Sequence, residues 1–104
     1  MTNSQDDFSI ASLFALIRQR KATMQVGSYT VALFEQGEDR ILQKVGEEAV
    51  EVLLAGKSGN KQRLIEELAD LTYHTLVLLA QFDLTIDAVE SELAKRHAPD
   101  HPAD

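Results

Sequence analysis

Residues 38–55 read EDRILQKVGEEAVEVLLA and residues 61–82 read KQRLIEELADLTYHTLVLLAQF. Both stretches carry a helical period. At about 100° per residue, Ile41, Leu42, Val45, Ala49, Val52 and Leu53 share one arc of the first stretch, roughly 120° wide. In the second, Leu64, Leu68, Leu71, Thr75, Leu79 and Phe82 form the apolar stripe, with Leu79 and Phe82 read as core. Between them lies Lys57-Ser58-Gly59-Asn60, a turn by composition. So short a connection predicts two antiparallel neighbouring helices. Carboxylates flank both stripes. With Ile41 at zero, Glu48 falls at about 340°, Glu51 at about 280° and Glu47 at about 240°. With Leu64 at zero, Glu67 lies at about 300° and Asp70 at about 240°, with His74 between them.

Working outward, the helical period continues throughout. Ser9 is placed to cap a helix carrying Ile10, Leu13, Phe14 and Ile17 on one stripe and ending near Lys21–Thr23. Met24–Ser28, with Gly27, is a linker, and Ser28 caps a short helix through Val31, Leu33 and Phe34 that Gly37 stops. The long helix from Glu38 is expected to end at Ala55 with Gly56 as terminator, and the next to run from Lys61 to Phe82. Thr85 caps a last helix through Ile86, Val89 and Leu93 that fades near His97. Residues 1–8 and 98–104 read as flexible tails. There is no alternating strand pattern and no repeat, so the expected class is all-α: about five helices in one domain, with two central antiparallel helices.

Composition narrows the function. The chain has 104 residues, 10 Lys+Arg against 17 Asp+Glu, a net charge of -7, no cysteine and 44% hydrophobic residues. Zero cysteines exclude a disulfide scaffold, a thiol nucleophile and a thiolate zinc site. The acidic balance argues against nucleic acid, whose phosphates need a concentrated basic surface. The longest apolar run, Leu76–Ala80, falls far short of the ~20 residues of a membrane span. Met1–Asp7 is polar and acidic, unlike a secretion signal. The expected location is cytoplasmic. A helical domain this small often completes its core by pairing, which suggests a homo-oligomer.

Packed through their stripes, the two long helices are expected to bring Glu48, Glu51, Glu67 and Asp70 together. Such a convergence repels itself unless a cation relieves it. Oxygen-only ligation selects Mg²⁺, with Mn²⁺ possible, over zinc or copper, and Mg²⁺ on a few carboxylates commonly accepts phosphate oxygens. Against this stands the plainer reading of acidic residues three apart as a solvated face. His74 reads as a hydrogen-bonded structural histidine rather than a ligand. A di-iron bundle would need paired Glu-x-x-His motifs, whereas His74 follows Asp70 by four residues without a second copy.

The runs Lys44-Val45-Gly46-Glu47-Glu48-Ala49-Val50-Glu51 and Glu66-Glu67-Leu68-Ala69-Asp70-Leu71-Thr72-Tyr73-His74, with Ser28-Tyr29-Thr30 upstream, closely resemble the phosphoribosyl-ATP pyrophosphatases. These belong to the all-α, MazG-like pyrophosphohydrolases, whose Glu-x-x-Glu…Glu-x-x-Asp signature Glu48, Glu51, Glu67 and Asp70 match. The resemblance covers residues 10–97, with Thr72 standing where an apolar residue is commoner. It implies hydrolysis of phosphoribosyl-ATP to phosphoribosyl-AMP and pyrophosphate in histidine biosynthesis, dependent on Mg²⁺, in a homodimer. Some relatives carry a fused cyclohydrolase domain; at this length the chain is expected to be the free-standing form.

In that frame Glu48, Glu51, Glu67 and Asp70 are the expected metal ligands, with Glu48 also catalytic. Glu47 either orients or deprotonates the attacking water or is a surface charge. Lys44, at about 300° on its wheel, is a phosphate contact, a carboxylate partner or a lysine lying over the core edge. Arg20 and Lys21 are further phosphate candidates, and Tyr29 either stacks on adenine or packs. Arg96 matches a family position but equally reads as a surface charge. Two rivals stay open: a pyrophosphohydrolase of free nucleoside triphosphates, and a non-catalytic helical dimerisation module.

Overall fold

Hydroxyl and amide side chains start four of the five helices. In the computed structural model, which describes residues 7–98, Ser9 caps α1 (Ile10–Thr23) in a reciprocal capping box with Ser12. Ser28 caps α2 (Tyr29–Gln36), Asn60 caps α4 (Lys61–Gln81) and Thr85 caps α5 (Ile86–Arg96). Only α3 (Glu38–Ser58) lacks a side-chain cap. It begins at Gly37, which also closes α2, and it carries Glu38 and Asp39 in its first turn, where the helix dipole favours them. The described residues contain no strand, and the class is all-α. The expected tails, apart from residues 7, 8 and 98, lie outside the described residues.

One boundary differs from expectation. The third helix runs straight through Gly56 to Ser58, and Gly59 terminates it at φ +77°. A glycine inside a helix only weakens it, whereas a left-handed residue ends it. Ser58 then donates to the Ala55 carbonyl at 2.6 Å and accepts from the Asn60 amide at 3.1 Å, tightening the turn into α4.

The core is built by Phe14 and Ile17 of α1, Leu33 of α2, Ile41 of α3, and Leu76, Val77 and Ala80 of α4. This corrects the stripe read on α4. Leu68 and Thr75 are exposed and Phe82 is 46% exposed, while the buried side chains lie on the other side of the helix. The sequence of α4 holds two apolar arcs. Periodicity finds such faces but does not say which one the chain's own helices cover. On α3 likewise, Ile41, Glu48 and Ala55, spaced by seven, are buried, whereas Leu42 and Leu53 remain exposed. A further apolar groove of about 420 Å³, lined by Leu79, Leu84, Ala88, Val89 and Leu93, separates the end of α4 from α5.

The end of α4 is tied down from α1. Leu84 donates to the Leu79 carbonyl at 2.8 Å and Asp83 to the Ala80 carbonyl at 3.1 Å, with Asp83 left-handed at φ +57°. This is the pattern of a Schellman cap, here without the usual glycine. Lys21 Nζ completes it, donating to the Ala80 and Gln81 carbonyls at 2.8 and 3.3 Å and to Asp83 Oδ1 at 2.9 Å. Lys21→Met keeps the apolar stem but leaves those acceptors without their cation. It is expected to lower stability by about 1–3 kcal/mol, read as a shift in urea midpoint at constant slope.

Candidate metal and phosphate site

The antiparallel pairing of α3 with α4 sets the acidic flanks against each other. Oxygens of Glu48, Glu67 and Asp70 lie within 4.8 Å of one another. Glu48 is the innermost: only 9% exposed, with Oε2 buried and without a hydrogen-bond partner. A buried carboxylate oxygen with nothing to accept from is expensive. Placed beside two more carboxylates, it has the chemistry of a hard-cation ligand.

Glu51, the fourth expected ligand, is not gathered in. Its Oε2 lies 3.3 Å from Arg63 Nη2. Lys44 Nζ lies 4.0 Å from Glu48 Oε1 and 3.9 Å from Glu47 Oε1, so its position as a carboxylate partner is realised. Glu47 turns outward, accepting from Gln43 Nε2 at 2.9 Å. A cation therefore stands at each end of the acidic cluster, Lys44 on α3 and Arg63 on α4. Arg63 escaped the sequence reading, although the wheel that places Glu67 also places it on that flank, at about 260°.

The neighbours leave a mark on Glu67. Desolvation at the seam, the charges of Glu48, Asp70 and Glu51, and a hydrogen bond with the Asp70 carboxyl all raise its pKa above the ordinary glutamate value.

Behind the cluster lies an aromatic group. His74, 5% exposed, bonds the Asp70 carbonyl through Nδ1 at 2.7 Å and the Tyr29 hydroxyl through Nε2 at 2.9 Å. A carbonyl only accepts, so Nδ1 carries the proton and, in the neutral ring, Nε2 accepts from Tyr29. The Tyr29 ring stacks on Tyr73 with centroids 6.1 Å apart, and Thr30 Oγ1 hydrogen-bonds the Tyr73 hydroxyl. Burial pushes the Tyr73 phenol above its usual value, against the pull of Thr30 and of the nearby Arg20 charge. Arg20 thus stands within electrostatic reach of this group. Lys21 is engaged at the far end of α4, ten residues, or about 15 Å of helix, beyond Asp70.

An all-α chain with a carboxylate cluster able to take a hard cation, flanked by two basic side chains, is a helical protein suited to phosphate chemistry. The chain belongs to the phosphoribosyl-ATP pyrophosphohydrolase family, whose model matches residues 10–97. It is 53% identical to the phosphoribosyl-ATP pyrophosphatase of Pelotomaculum thermopropionicum, over 84% of this chain and 89% of that protein. With the phosphoribosyl-ATP pyrophosphatase of Geobacter sulfurreducens it shares 45% identity, over 90% of this chain and 86% of the other. It is also 52% identical to a histidine biosynthesis bifunctional protein of Halalkalibacterium halodurans, over 86% of this chain but 43% of that protein. The chain therefore spans less than half of the bifunctional relative. None of its described helices is long and apolar enough to cross a membrane.

The raised Glu67 pKa has a thermodynamic sign. Below the ordinary glutamate pKa both folded and unfolded chains hold the proton, and the shift has no effect on stability. As pH rises through the unfolded and then the folded pKa, the native state retains its proton longer and loses stability relative to the unfolded chain. In chelator-treated buffer, Glu67→Gln is therefore expected to melt above the wild type at pH 7, with the difference closing below about pH 4. Melting curves at the two pH values check this.

Proposed function

We propose that this chain hydrolyses phosphoribosyl-ATP to phosphoribosyl-AMP and pyrophosphate, the second step of histidine biosynthesis, as a cytoplasmic Mg²⁺-dependent homodimer. The observation that carries the metal half of this reading is the buried, unpartnered Glu48 Oε2 beside Glu67 and Asp70. Family membership carries the substrate half.

Glu48, Glu67 and Asp70 hold the metal in this reading, with Glu51 joining them. Mg²⁺, or Mn²⁺ in its place, supplies charge compensation for the triphosphate and acidifies water. The remaining tasks fall to side chains. Lys44, beside Glu48, contacts phosphate oxygens, and Arg20 serves the phosphates nearer the aromatic group. Lys21 would contact phosphate only by leaving the three acceptors that it now serves. Tyr29, 54% exposed and stacked on Tyr73, offers a ring face to adenine while its hydroxyl stays on His74. Glu47, solvent-facing and next to Lys44, orients the attacking water or takes its proton. No covalent intermediate is invoked.

Pyrophosphate release from phosphoribosyl-ATP, with ATP and dCTP as controls, tests the whole reading with and without Mg²⁺. Metal-dependent release from phosphoribosyl-ATP is expected. Glu67→Gln, which keeps the shape of the side chain but loses its charge, should fall by at least about a hundredfold. Near-wild-type turnover of that variant would remove Glu67 from the metal set, and release from dCTP or ATP instead would move the protein to nucleotide housekeeping.

The homodimer rests on the apolar arcs that the chain leaves uncovered: Leu42 and Leu53 on α3, the latter 68% exposed, and Leu68 and Phe82 on α4. Exposed apolar surface on this scale marks an interface. Light scattering should give the mass of two chains, and Leu53→Asp should give one. A wild-type monomer at micromolar concentration would overturn this.

A further inference from the structure

Arg63 enters α4 in its first turn, where the helix carries no acidic side chain. The unpaired amides there already favour anions, so a guanidinium is out of place unless a carboxylate faces it. Glu51 provides one. The same antiparallel offset that sets Glu48 against Glu67 carries Glu51, a turn further along α3, to Arg63, a turn earlier on α4. The resulting pair is open to water on both sides, with side-chain exposures of 41% and 43%. Ion pairs this exposed are weak and are readily exchanged for better partners.

Better partners for both halves lie close by. Glu51 is one turn from Glu48, whose Oε2 is buried without a partner, so a cation held there draws Glu51 inward. The planar guanidinium of Arg63 matches phosphate oxygens as well as it matches a carboxylate, two donors to two acceptors. Lys44 stands at the opposite end of the cluster. A polyphosphate laid along the α3–α4 seam therefore meets a cation at each end, provided that Arg63 is free.

We propose that Arg63 is a phosphate-contacting residue, held by Glu51 in the free chain and given over to the polyphosphate when Glu51 turns to the bound cation. The inference rests on the metal reading of the carboxylate cluster. It makes the Glu51–Arg63 pair an exchange of partners: one carboxylate passes from guanidinium to metal, and one guanidinium passes from carboxylate to phosphate. Metal then prepares the polyphosphate site instead of merely neighbouring it.

The exchange predicts effects of opposite sign from one substitution. Binding of Mn²⁺ alone, and of inorganic pyrophosphate in the presence of Mn²⁺, is measured by calorimetry on wild type, Arg63→Gln and Arg63→Lys. Arg63→Gln should bind Mn²⁺ at least as tightly as wild type, because the competitor for Glu51 is gone. It should bind pyrophosphate about tenfold or more weakly, the scale of one lost charge-assisted contact. Arg63→Lys, a point charge without the fork, should fall between the two and carries the same test if the glutamine variant loses helix content. Unchanged pyrophosphate affinity with normal Mn²⁺ binding overturns the inference alone. Weakening of Mn²⁺ and pyrophosphate together also overturns it, since Arg63 would then only support Glu51. A wild-type chain that binds no Mn²⁺ overturns the metal reading and this inference with it.

Discussion

A carboxylate oxygen that is shut away from water, has no donor, and sits beside two further carboxylates is the constraint around which this chain is arranged. Glu48 reaches that position because it is spaced seven residues from both Ile41 and Ala55, and the three are buried along α3. The same packing that stabilises the seam therefore holds an acid away from water beside two further carboxylates, with one oxygen unpartnered. Three nearby features soften the arrangement. Lys44 lies within 4.0 Å of Glu48, the pKa of Glu67 is raised, and Glu51 is paired away from the cluster. None of them donates to the orphaned oxygen. A metal ion would satisfy it and neutralise its neighbours together.

The rest of the fold holds the seam still. The first helix packs against α4 and the second against α1 and α3, with Phe14, Ile17 and Leu33 joining Leu76, Val77 and Ala80 in one core. Lys21 anchors one end of α4 and Asn60 caps the other. Between these ends, His74 joins the backbone of Asp70 to the hydroxyl of Tyr29. The aromatic group and the acidic cluster thereby share a single hydrogen-bonded residue. Bonding an imidazole at both nitrogens fixes its ring orientation, and with it the ring plane that Tyr29 presents.

The helices and their caps were legible in the sequence because Ser9, Ser28 and Thr85 act locally, each on an amide three residues away. The acid flanks were legible because wheel geometry is rigid over one turn. What escaped needed tertiary information. Leu76, Val77 and Ala80 form an apolar arc as good as Leu68, Thr75 and Phe82, and only the position of α1 and α2 selects between them. Gly56 and Gly59 are equal as letters, but only the backbone shows which one turns left-handed. Glu51 belongs to the acidic signature by spacing, yet spacing contains nothing about Arg63 across the seam. The His74 bridge to Tyr29 spans 45 residues of sequence, beyond the reach of any local pattern.

Gly37 closes α2 and opens α3 at φ +98° and ψ -178°, a conformation open essentially to glycine alone. Because Gly37 alone separates them, the angle between the two helices rests on its backbone. The segment bearing Tyr29 and the segment bearing Glu48 are thus set at an angle by a single residue, and a side chain at position 37 would strain that junction whatever space surrounds it. The connection from α1 to α2, residues 24–28, is longer, with Val26 almost fully exposed and Gly27 left-handed. The aromatic arm and the acidic arm of the site thus answer to one backbone position, as well as to the α4 residues that each of them meets.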